Sequence, residues 1–239
     1  MDTHELDTAA VEYWLTTALP DFQGPLEVEK FVGGQSNPTF LLRTPAREYV
    51  LRRKPPGVLL KSAHAVDREF RVQQALADSD VPVAQMYVLC EDDGVIGSAF
   101  YVMERIEGRN FDDPRLADLS VADRARVFDQ MNAVLAAIHS VDIDAVGLSD
   151  YGPQGNYFER QIGRWTKQYR QSETDAVPEM DQLMDWLAEN IPEDDGKRTL
   201  VHGDFRLDNM LFAKDSTKIL IDTLYLSRVF GHPYADLAG

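Results

Sequence analysis

The fold is decided by the stretch Leu200-Val201-His202-Gly203-Asp204-Phe205-Arg206-Leu207-Asp208-Asn209-Met210-Leu211-Phe212. Polar groups between apolar runs are costly unless each is paired or used. Four such groups lie within eight residues here, namely His202, Asp204, Asp208 and Asn209. The pattern predicts an irregular loop of functional side chains. We expect a short strand before it at Thr199–Val201, and a strand pair after it at Asn209–Phe212 and Lys218–Ile221.

The side chains of this loop match the needs of phosphoryl transfer. That chemistry requires a carboxylate that accepts or orients the acceptor's hydroxyl proton, and oxygen ligands that hold Mg²⁺ against the phosphates. Asp204 suits the first role, whereas Asn209 and Asp222, which ends a following strand, suit the second. We expect Arg206, two residues after Asp204, to neutralise charge on the transferring group.

The spacing of these residues resembles that of a known family. His202-Gly203-Asp204, with Asn209 five residues after the aspartate, resembles the catalytic loop of aminoglycoside phosphotransferases and of related choline and homoserine kinases. It is also similar to the catalytic loop of protein kinases. The resemblance implies a two-lobed, protein-kinase-like α+β fold that binds ATP and Mg²⁺ between its lobes. It further implies that Asp222 is the second metal ligand and that Asp236 braces the catalytic loop.

The segment Val32–Asn37 resembles the family's phosphate-covering hairpin, with Gly33, Gly34, Ser36 and Asn37 as its nucleotide-binding residues. Glycines there let backbone N–H groups approach the phosphates. An ordinary hairpin turn is the alternative.

Arg52 lies where kinases place a phosphate-contacting lysine, and Glu69 in the following helix is the expected ion-pair partner. Arg53 competes for this role, because neighbouring strand residues face opposite sides of a sheet. The alternative for Arg52 and Glu69 is an exposed pair of little energetic value. Farther along, Phe100–Gly108 resembles the hinge between the lobes, where backbone groups of Glu104 and Ile106 are implied to bind adenine.

Apolar periodicity and turn residues predict two parts in this chain. Up to Ile106 we expect a small antiparallel sheet of about five strands with one internal helix at His64–Ala77, and after it a mainly helical region. The predicted division is a nucleotide-binding lobe at residues 1–106 and a catalytic lobe at residues 107–239. The tryptophans Trp14, Trp165 and Trp186 fall on predicted helices, and we expect them in the core or between lobes.

Composition excludes several functions. A net charge of −16 repels nucleic acids, and the one cysteine, Cys90, rules out an intrachain disulfide. No apolar stretch approaches the roughly 18 residues of a membrane span, and the acidic N-terminus lacks signal-peptide regions. We therefore expect a cytoplasmic protein without membrane or nucleic-acid partners. The sequence also lacks a zinc-site spacing, a Gly-x-Ser-x-Gly elbow and a Walker A loop.

The segments Arg52–Gly57 and Gly231–Ala238 are similar to one subgroup, the phosphotransferase domain fused to, or encoded beside, acyl-CoA dehydrogenases. This resemblance implies a hydroxylated acyl compound as the small-molecule acceptor, and association with an acyl-CoA dehydrogenase. The sequence departs from the family at Thr223-Leu224, where an aromatic or acidic pair is usual, and the family's further acceptor-site helices would follow Gly239. The alternative function is therefore a module that binds nucleotide or a partner without catalysis.

Overall fold

The structure is a computed structural model that describes residues 6–31, 37–55, 66–152, 155–222 and 230–236. Its helices are α1 (Thr8–Ala18), α2 (Val66–Ala75), α3 (Asp93–Ile96), α4 (Val121–Ser140), α5 (Tyr157–Ser172) and α6 (Pro178–Glu189). Its strands are β1 (Glu27–Lys30), β2 (Thr39–Arg43), β3 (Glu48–Arg53), β4 (Met86–Cys90), β5 (Phe100–Glu104), β6 (Thr199–Leu200), β7 (Met210–Phe212), β8 (Ile219–Asp222) and β9 (Phe230–Gly231). No helix in the described ranges has the length and apolar character needed to cross a bilayer.

The first five strands form one antiparallel sheet in the order β1-β2-β3-β5-β4. Strands β2 and β3 end at turn residues, since Thr44-Pro45 follows the first of them and Lys54-Pro55 follows the second. Both strands are largely buried, which matches their central positions in the sheet.

The two faces of this sheet pack against different helices. One face presents Tyr49, Leu51 and Phe100 to α1, whose buried side chains are Val11 and Leu15. The other face presents Tyr101 and Met86 to Val66 and Phe70 of α2. Side chains alternate between faces along each strand, so the central strands contribute to both clusters.

The second part of the chain packs around α4. Its N-terminus is capped by Ser120, whose Oγ accepts a hydrogen bond from Asp123 N at 3.1 Å. Its buried face includes Val127 and Ile138, which belong to one core cluster with residues of the site loop and its flanking strands: Leu200, Leu207, Met210 and Phe212. Two short antiparallel pairs, β6–β9 and β7–β8, frame that loop.

Three expectations need correction. The polar run Glu91-Asp92-Asp93-Gly94 is typical of a turn between strands, but the structure begins the short helix α3 within it, because Asp92 Oδ1 accepts a capping hydrogen bond from Gly94 N at 2.8 Å. Trp165 and Trp186 are 46% and 58% exposed, since the hairpin of α5 and α6 lies at the periphery and α5 buries no side chain. The helix predicted at His64–Ala77 is described only from Val66 and ends at Ala75.

Candidate functional site

Asp204 and Asn209 lie side by side in the loop between β6 and β7. Asn209 Nδ2 donates to the backbone oxygen of Asp204 at 2.8 Å and to its Oδ2 at 2.9 Å. A single helical turn at Leu207–Asn209 folds the loop back and makes this contact possible. Asn209 is buried, whereas the Asp204 side chain is 47% exposed. Asn209 thus fixes the orientation of the carboxylate, while the exposed part of the Asp204 side chain can contact a ligand.

The start of the loop is held by Asp236. Its carboxylate accepts hydrogen bonds from His202 N at 2.9 Å and Gly203 N at 2.6 Å, and Oδ2 lies 2.9 Å from His139 Nε2. Burial raises the pKa of Asp236, but the hydrogen bonds from His139 and the two backbone groups outweigh burial and hold this pKa below its usual value. Gly203 has φ of 78°, a conformation that favours glycine.

Within the loop, His202 is structural in its contacts. It is fully buried, and its Nδ1 accepts a hydrogen bond from Asp204 N at 3.1 Å. Its ring packs edge-on against Phe205 at a centroid distance of 5.4 Å. His202 therefore orders the backbone that presents Asp204.

Arg206 is an ion-pair partner of Asp204. Its Nε lies 3.0 Å from Asp204 Oδ1, and its Nη2 lies 3.1 Å from Asp208 Oδ2. The arginine is 60% exposed at its side chain, so both pairs are screened by water. The two oxygens of the Asp204 carboxylate therefore have different partners: Oδ1 pairs with Arg206, and Oδ2 accepts from Asn209.

A second polar network connects the sheet to α2. Arg52 Nε lies 3.0 Å from Glu69 Oε2, and both side chains are about nine-tenths buried. Asn37 Nδ2 donates to Glu69 Oε1 at 2.9 Å, and Tyr101 Oη donates to Oε2 at 3.2 Å. Burial, followed by the charge of Glu69, raises the pKa of Tyr101 far above its usual value, so its hydroxyl stays a donor.

The sheet places Arg52 and Arg53 on opposite faces. Arg52 lies on the α2 face, opposite Tyr101 in the β3–β5 register, and reaches Glu69. Arg53 lies opposite Phe100 on the face that packs against α1. The glycine-rich segment 32–36, with Gly33, Gly34 and Ser36, lies outside the described residues, as does Thr223-Leu224.

Asn209 directly precedes β7, and Asp222 ends β8, the other strand of the same hairpin. Asp222 pairs with Met210, the residue after Asn209, in the β7–β8 register. Amide and carboxylate oxygens are the ligands that Mg²⁺ takes, with phosphates and water completing its shell. Within the described ranges, no group of three His, Cys, Asp or Glu side chains could hold a metal alone. The donor types fit a Mg²⁺ ion shared with a phosphate-bearing ligand.

The predicted hinge follows β5. Glu104 N donates to the Gln85 carbonyl oxygen at 2.9 Å, and a guanidinium nitrogen of Arg105 donates to the carbonyl oxygen of Ile106. Farther on, Arg109 and Phe212 exchange two backbone hydrogen bonds of 2.8 Å, and Lys214 Nζ reaches Glu107 Oε2 at 2.5 Å.

The contact between hinge and β7 is close. A Cβ built on Gly108 would lie 2.6 Å from the Phe212 carbonyl oxygen and 2.5 Å from Leu211 Cγ. Only glycine fits at this distance. The chain that leaves the hinge is therefore attached directly to the strand that follows the Asp204 loop.

Two site residues were missed by sequence reasoning. Tyr101 was assigned to a hinge strand and given no role, although a β3–β5 pairing would have placed it opposite Arg52. His139 was given no role in the site, whereas the structure places its ring against Asp236. Nothing in the local sequence links positions that are 97 residues apart.

Residues 27–239 match the sequence model of the phosphotransferase enzyme family. The chain is 46% identical over 215 residues to mouse acyl-CoA dehydrogenase family member 10, covering 90% of this chain and 20% of that protein. It is 43% identical over 239 residues to mouse acyl-CoA dehydrogenase family member 11, covering 98% of this chain and 31% of that protein. The chain thus spans less than a third of the length of these relatives.

Solved structures of phosphotransferases also resemble this chain. A candidate aminoglycoside phosphotransferase from Ralstonia eutropha JMP134 superposes with a TM-score of 0.86 at 51% identity, covering 98% of this chain and 68% of that one. An aminoglycoside phosphotransferase in complex with streptomycin and ATP superposes with a TM-score of 0.67 at 19% identity, covering 97% and 74%. The second likeness shows the shared kinase-like fold. This chain belongs to the phosphotransferase enzyme family and has the fold of the aminoglycoside phosphotransferases.

Proposed function

We propose that this chain transfers the γ-phosphoryl group of ATP to a hydroxyl group of a small molecule. The observation that carries the proposal is the Asp204–Asn209 contact on a loop held by Asp236. A fixed and partly exposed carboxylate beside an amide oxygen donor is the arrangement that phosphoryl transfer needs. Membership in the phosphotransferase family supports the same reaction class.

In this mechanism, Asp204 orients the acceptor hydroxyl for in-line attack on the γ-phosphorus. The new O–P bond forms as the bond to the bridging oxygen of ADP breaks, and the acceptor's proton passes to the Asp204 carboxylate. Arg206, which pairs with Oδ1, helps to hold that carboxylate in position before transfer. Its exposed guanidinium is also placed to stabilise charge on the transferring group.

Asn209 and Asp222 would hold Mg²⁺ at the end of the β7–β8 hairpin. When bound, Mg²⁺ neutralises charge on the phosphate oxygens and so favours departure of ADP. The protein's part is to fix the two oxygen donors. For Asn209 this is achieved by the hydrogen bonds of its Nδ2 to Asp204, which orient the amide.

The nucleotide would lie between the sheet and the Asp204 loop. Arg52 would contact its phosphates with Glu69 fixing the guanidinium, and Asn37 would connect Glu69 to the hairpin of Gly33, Gly34 and Ser36. At the hinge, the Glu104 N–H and the Ile106 carbonyl oxygen are already bonded to Gln85 and Arg105. We therefore assign the adenine contacts to the Glu104 carbonyl oxygen and the Ile106 N–H.

The lobes would divide at residues 106 and 107. The contacts of the next residues support this boundary, because Glu107 pairs with Lys214 and Arg109 bonds to Phe212, both in the second part of the chain. Residues 1–106 would then form the nucleotide-binding lobe and residues 107–239 the catalytic lobe.

For the acceptor we propose a hydroxylated acyl compound. The support is the similarity to proteins named acyl-CoA dehydrogenase family members 10 and 11, of which the chain spans 20% and 31%. The same similarity supports association with an acyl-CoA dehydrogenase. Such a reaction would alter acyl substrates that the dehydrogenase uses or receives.

The test combines thermal melting with turnover. Mg²⁺–ATP should raise the melting temperature of the wild-type chain and of Asp215→Ala, an exposed turn variant, but not of Asp222→Ala. Hydroxylated acyl compounds should then stimulate ADP release, and Asp204→Asn should abolish the stimulation. A Mg²⁺-dependent shift without ADP release for any acceptor would instead favour the nucleotide-binding module. If the folded protein showed no shift in melting temperature with Mg²⁺–ATP, both the phosphotransferase and the nucleotide-binding module would be refuted.

A further inference from the structure

Arg53 is a buried arginine without a counter-charge in the part of the chain that the structure describes. It lies at the end of β3 and is 4% exposed, and its Nε has no hydrogen-bond partner among the residues that the structure describes. Burial lowers the pKa of its guanidinium. A buried cation in this position lowers the stability of the fold, because the guanidinium loses its hydration and no anion compensates for that loss. Such a group calls for an explanation.

A second unsatisfied polar group lies nearby. Ser98 is 4% exposed, and its buried Oγ has no hydrogen-bond partner among the described residues. Ser98 precedes Ala99, whose carbonyl oxygen accepts a hydrogen bond at 2.9 Å from the backbone N–H of Lys54, the residue after Arg53. The two orphaned side chains therefore belong to neighbouring segments, at the point where β3 ends and β5 is about to begin.

This location is separate from the phosphotransfer centre. Arg52 points to Glu69 on the α2 face, and its neighbour Arg53 points to the opposite face. The cross-strand partner of Arg53 is Phe100, whose ring packs edge-on against Trp14 of α1 at a centroid distance of 5.0 Å. Arg53 therefore cannot serve the nucleotide phosphates from the position in which Arg52 would do so.

We infer that Arg53 and Ser98 form a binding site for a phosphate group on the α1 face of the sheet. A guanidinium donates two parallel hydrogen bonds to an oxyanion. A carboxylate has only two oxygens and would use both on the arginine, whereas a phosphate keeps a third oxygen for the Ser98 hydroxyl. The ligand class is inorganic phosphate or a terminal phosphomonoester. This site does not depend on the proposed function.

The experiment measures melting temperature against inorganic phosphate and against ribose 5-phosphate, with potassium chloride at matched ionic strength. Wild type should melt about 5–10 °C higher at a ligand concentration 100 times the dissociation constant. Arg53→Met should lose this shift and, without ligand, should melt above wild type because an uncompensated charge is gone. Ser98→Ala should show a reduced shift. Arg52→Met, the neighbouring arginine on the other face, should keep it.

The outcomes separate the possibilities. Equal shifts with the two ligands assign the site to free phosphate, and a larger shift with ribose 5-phosphate assigns it to a phosphomonoester. A shift that survives in Arg53→Met or disappears in Arg52→Met places the phosphate in the other cleft and overturns the inference. The absence of a shift in melting temperature in wild type would also overturn the inference. A ligand-free Arg53→Met variant that melts below wild type would overturn it as well, since Arg53 would then be a stabilising residue.

Discussion

Nδ2 of Asn209 lies 2.9 Å from Oδ2 of Asp204, so the amide that would orient toward the metal also fixes the carboxylate that would orient the acceptor. One contact thus couples two roles that the sequence had assigned separately. It also means that each residue's variant will disturb the other, and effects at these two positions are not expected to add.

Asp204→Asn is expected to lower kcat by about 10²–10⁴-fold, because the amide cannot accept the acceptor's proton. The KM for ATP should change little, since the Asp204 side chain contacts Arg206 and Asn209 and lies on the acceptor side in the proposal. Steady-state kinetics with ATP varied would show this. Asp208→Asn is the matched control, because Asp208 shares Arg206 but not Asn209. Equal losses in the two variants would contradict the assignment of Asp204.

Arg52→Met is expected to raise the KM for ATP and to destabilise the fold by about 3 kcal/mol, because it leaves Glu69 buried without its cation. Urea unfolding and ATP titrations measure the two effects. Arg43→Met is the control, since Arg43 pairs with Glu29 and Glu48 at the surface and should cost less than about 1 kcal/mol. If the two variants had the same free energy of unfolding, the buried ion pair would contribute no more to stability than the surface pairs.

The Asp236 carboxylate predicts a pH dependence of stability. Its pKa is held below the usual value, so its contribution is complete above the unfolded-state pKa of about 4 and is lost as pH falls through the folded-state value. Asp236→Asn should cost about 1–3 kcal/mol at neutral pH and should flatten the acid limb of the stability curve. Urea unfolding between pH 7 and acid conditions measures both.

The control for this experiment is Asp113→Asn. Its side-chain hydrogen bond with Arg115 lowers the pKa of Asp113, but both residues lie at the surface. Solvent screening should leave the acid limb nearly unchanged in this variant. An acid limb as steep in Asp236→Asn as in wild type would show that the loop is not held by this carboxylate.

Gly108→Ala is expected to destabilise the protein by about 1–3 kcal/mol, because the new methyl group would overlap the backbone of Phe212 and the side chain of Leu211. Gly163→Ala in α5 is the matched comparison, since among the described residues no atom outside the adjoining helix backbone lies within 4 Å of the added Cβ. That variant should be more stable by about 0.5–1 kcal/mol. Chemical denaturation of the pair, with the sign of each change compared, is the measurement.

The fold and the loop chemistry were predictable where short-range patterns govern them. Turn residues set the bounds of β2 and β3, and the spacing from His202 to Asn209 identified the loop. Strand alternation alone fixes that Arg52 and Arg53 face opposite sides of the sheet but not which one faces α2. The packing of the whole sheet decides that choice. The resemblance to kinases assigned Arg52 to Glu69, and the structure contains this ion pair.

Contacts between distant segments were also out of reach. His139 and Asp236 meet only because α4 and the last described turn pack on the same loop. Trp165 and Trp186 were expected in the core or between lobes because they fall on predicted helices, and their exposure follows from the peripheral position of α5 and α6. Apolar character predicts burial only when an element has a neighbour on that side.

The backbone exchange between Arg109 and Phe212 has a mechanical consequence. These bonds join the segment after the hinge to the strand after Asn209, so with the proposed lobe boundary we expect an opening of the lobes to pivot before Gly108. A purine bound at Ile106 would then lie near the axis of that rotation, so its distance from Asp204 would change little. The phosphate end near Arg52 would travel with the sheet. Closure would thus bring the phosphates toward Asp204 while the base turns in place.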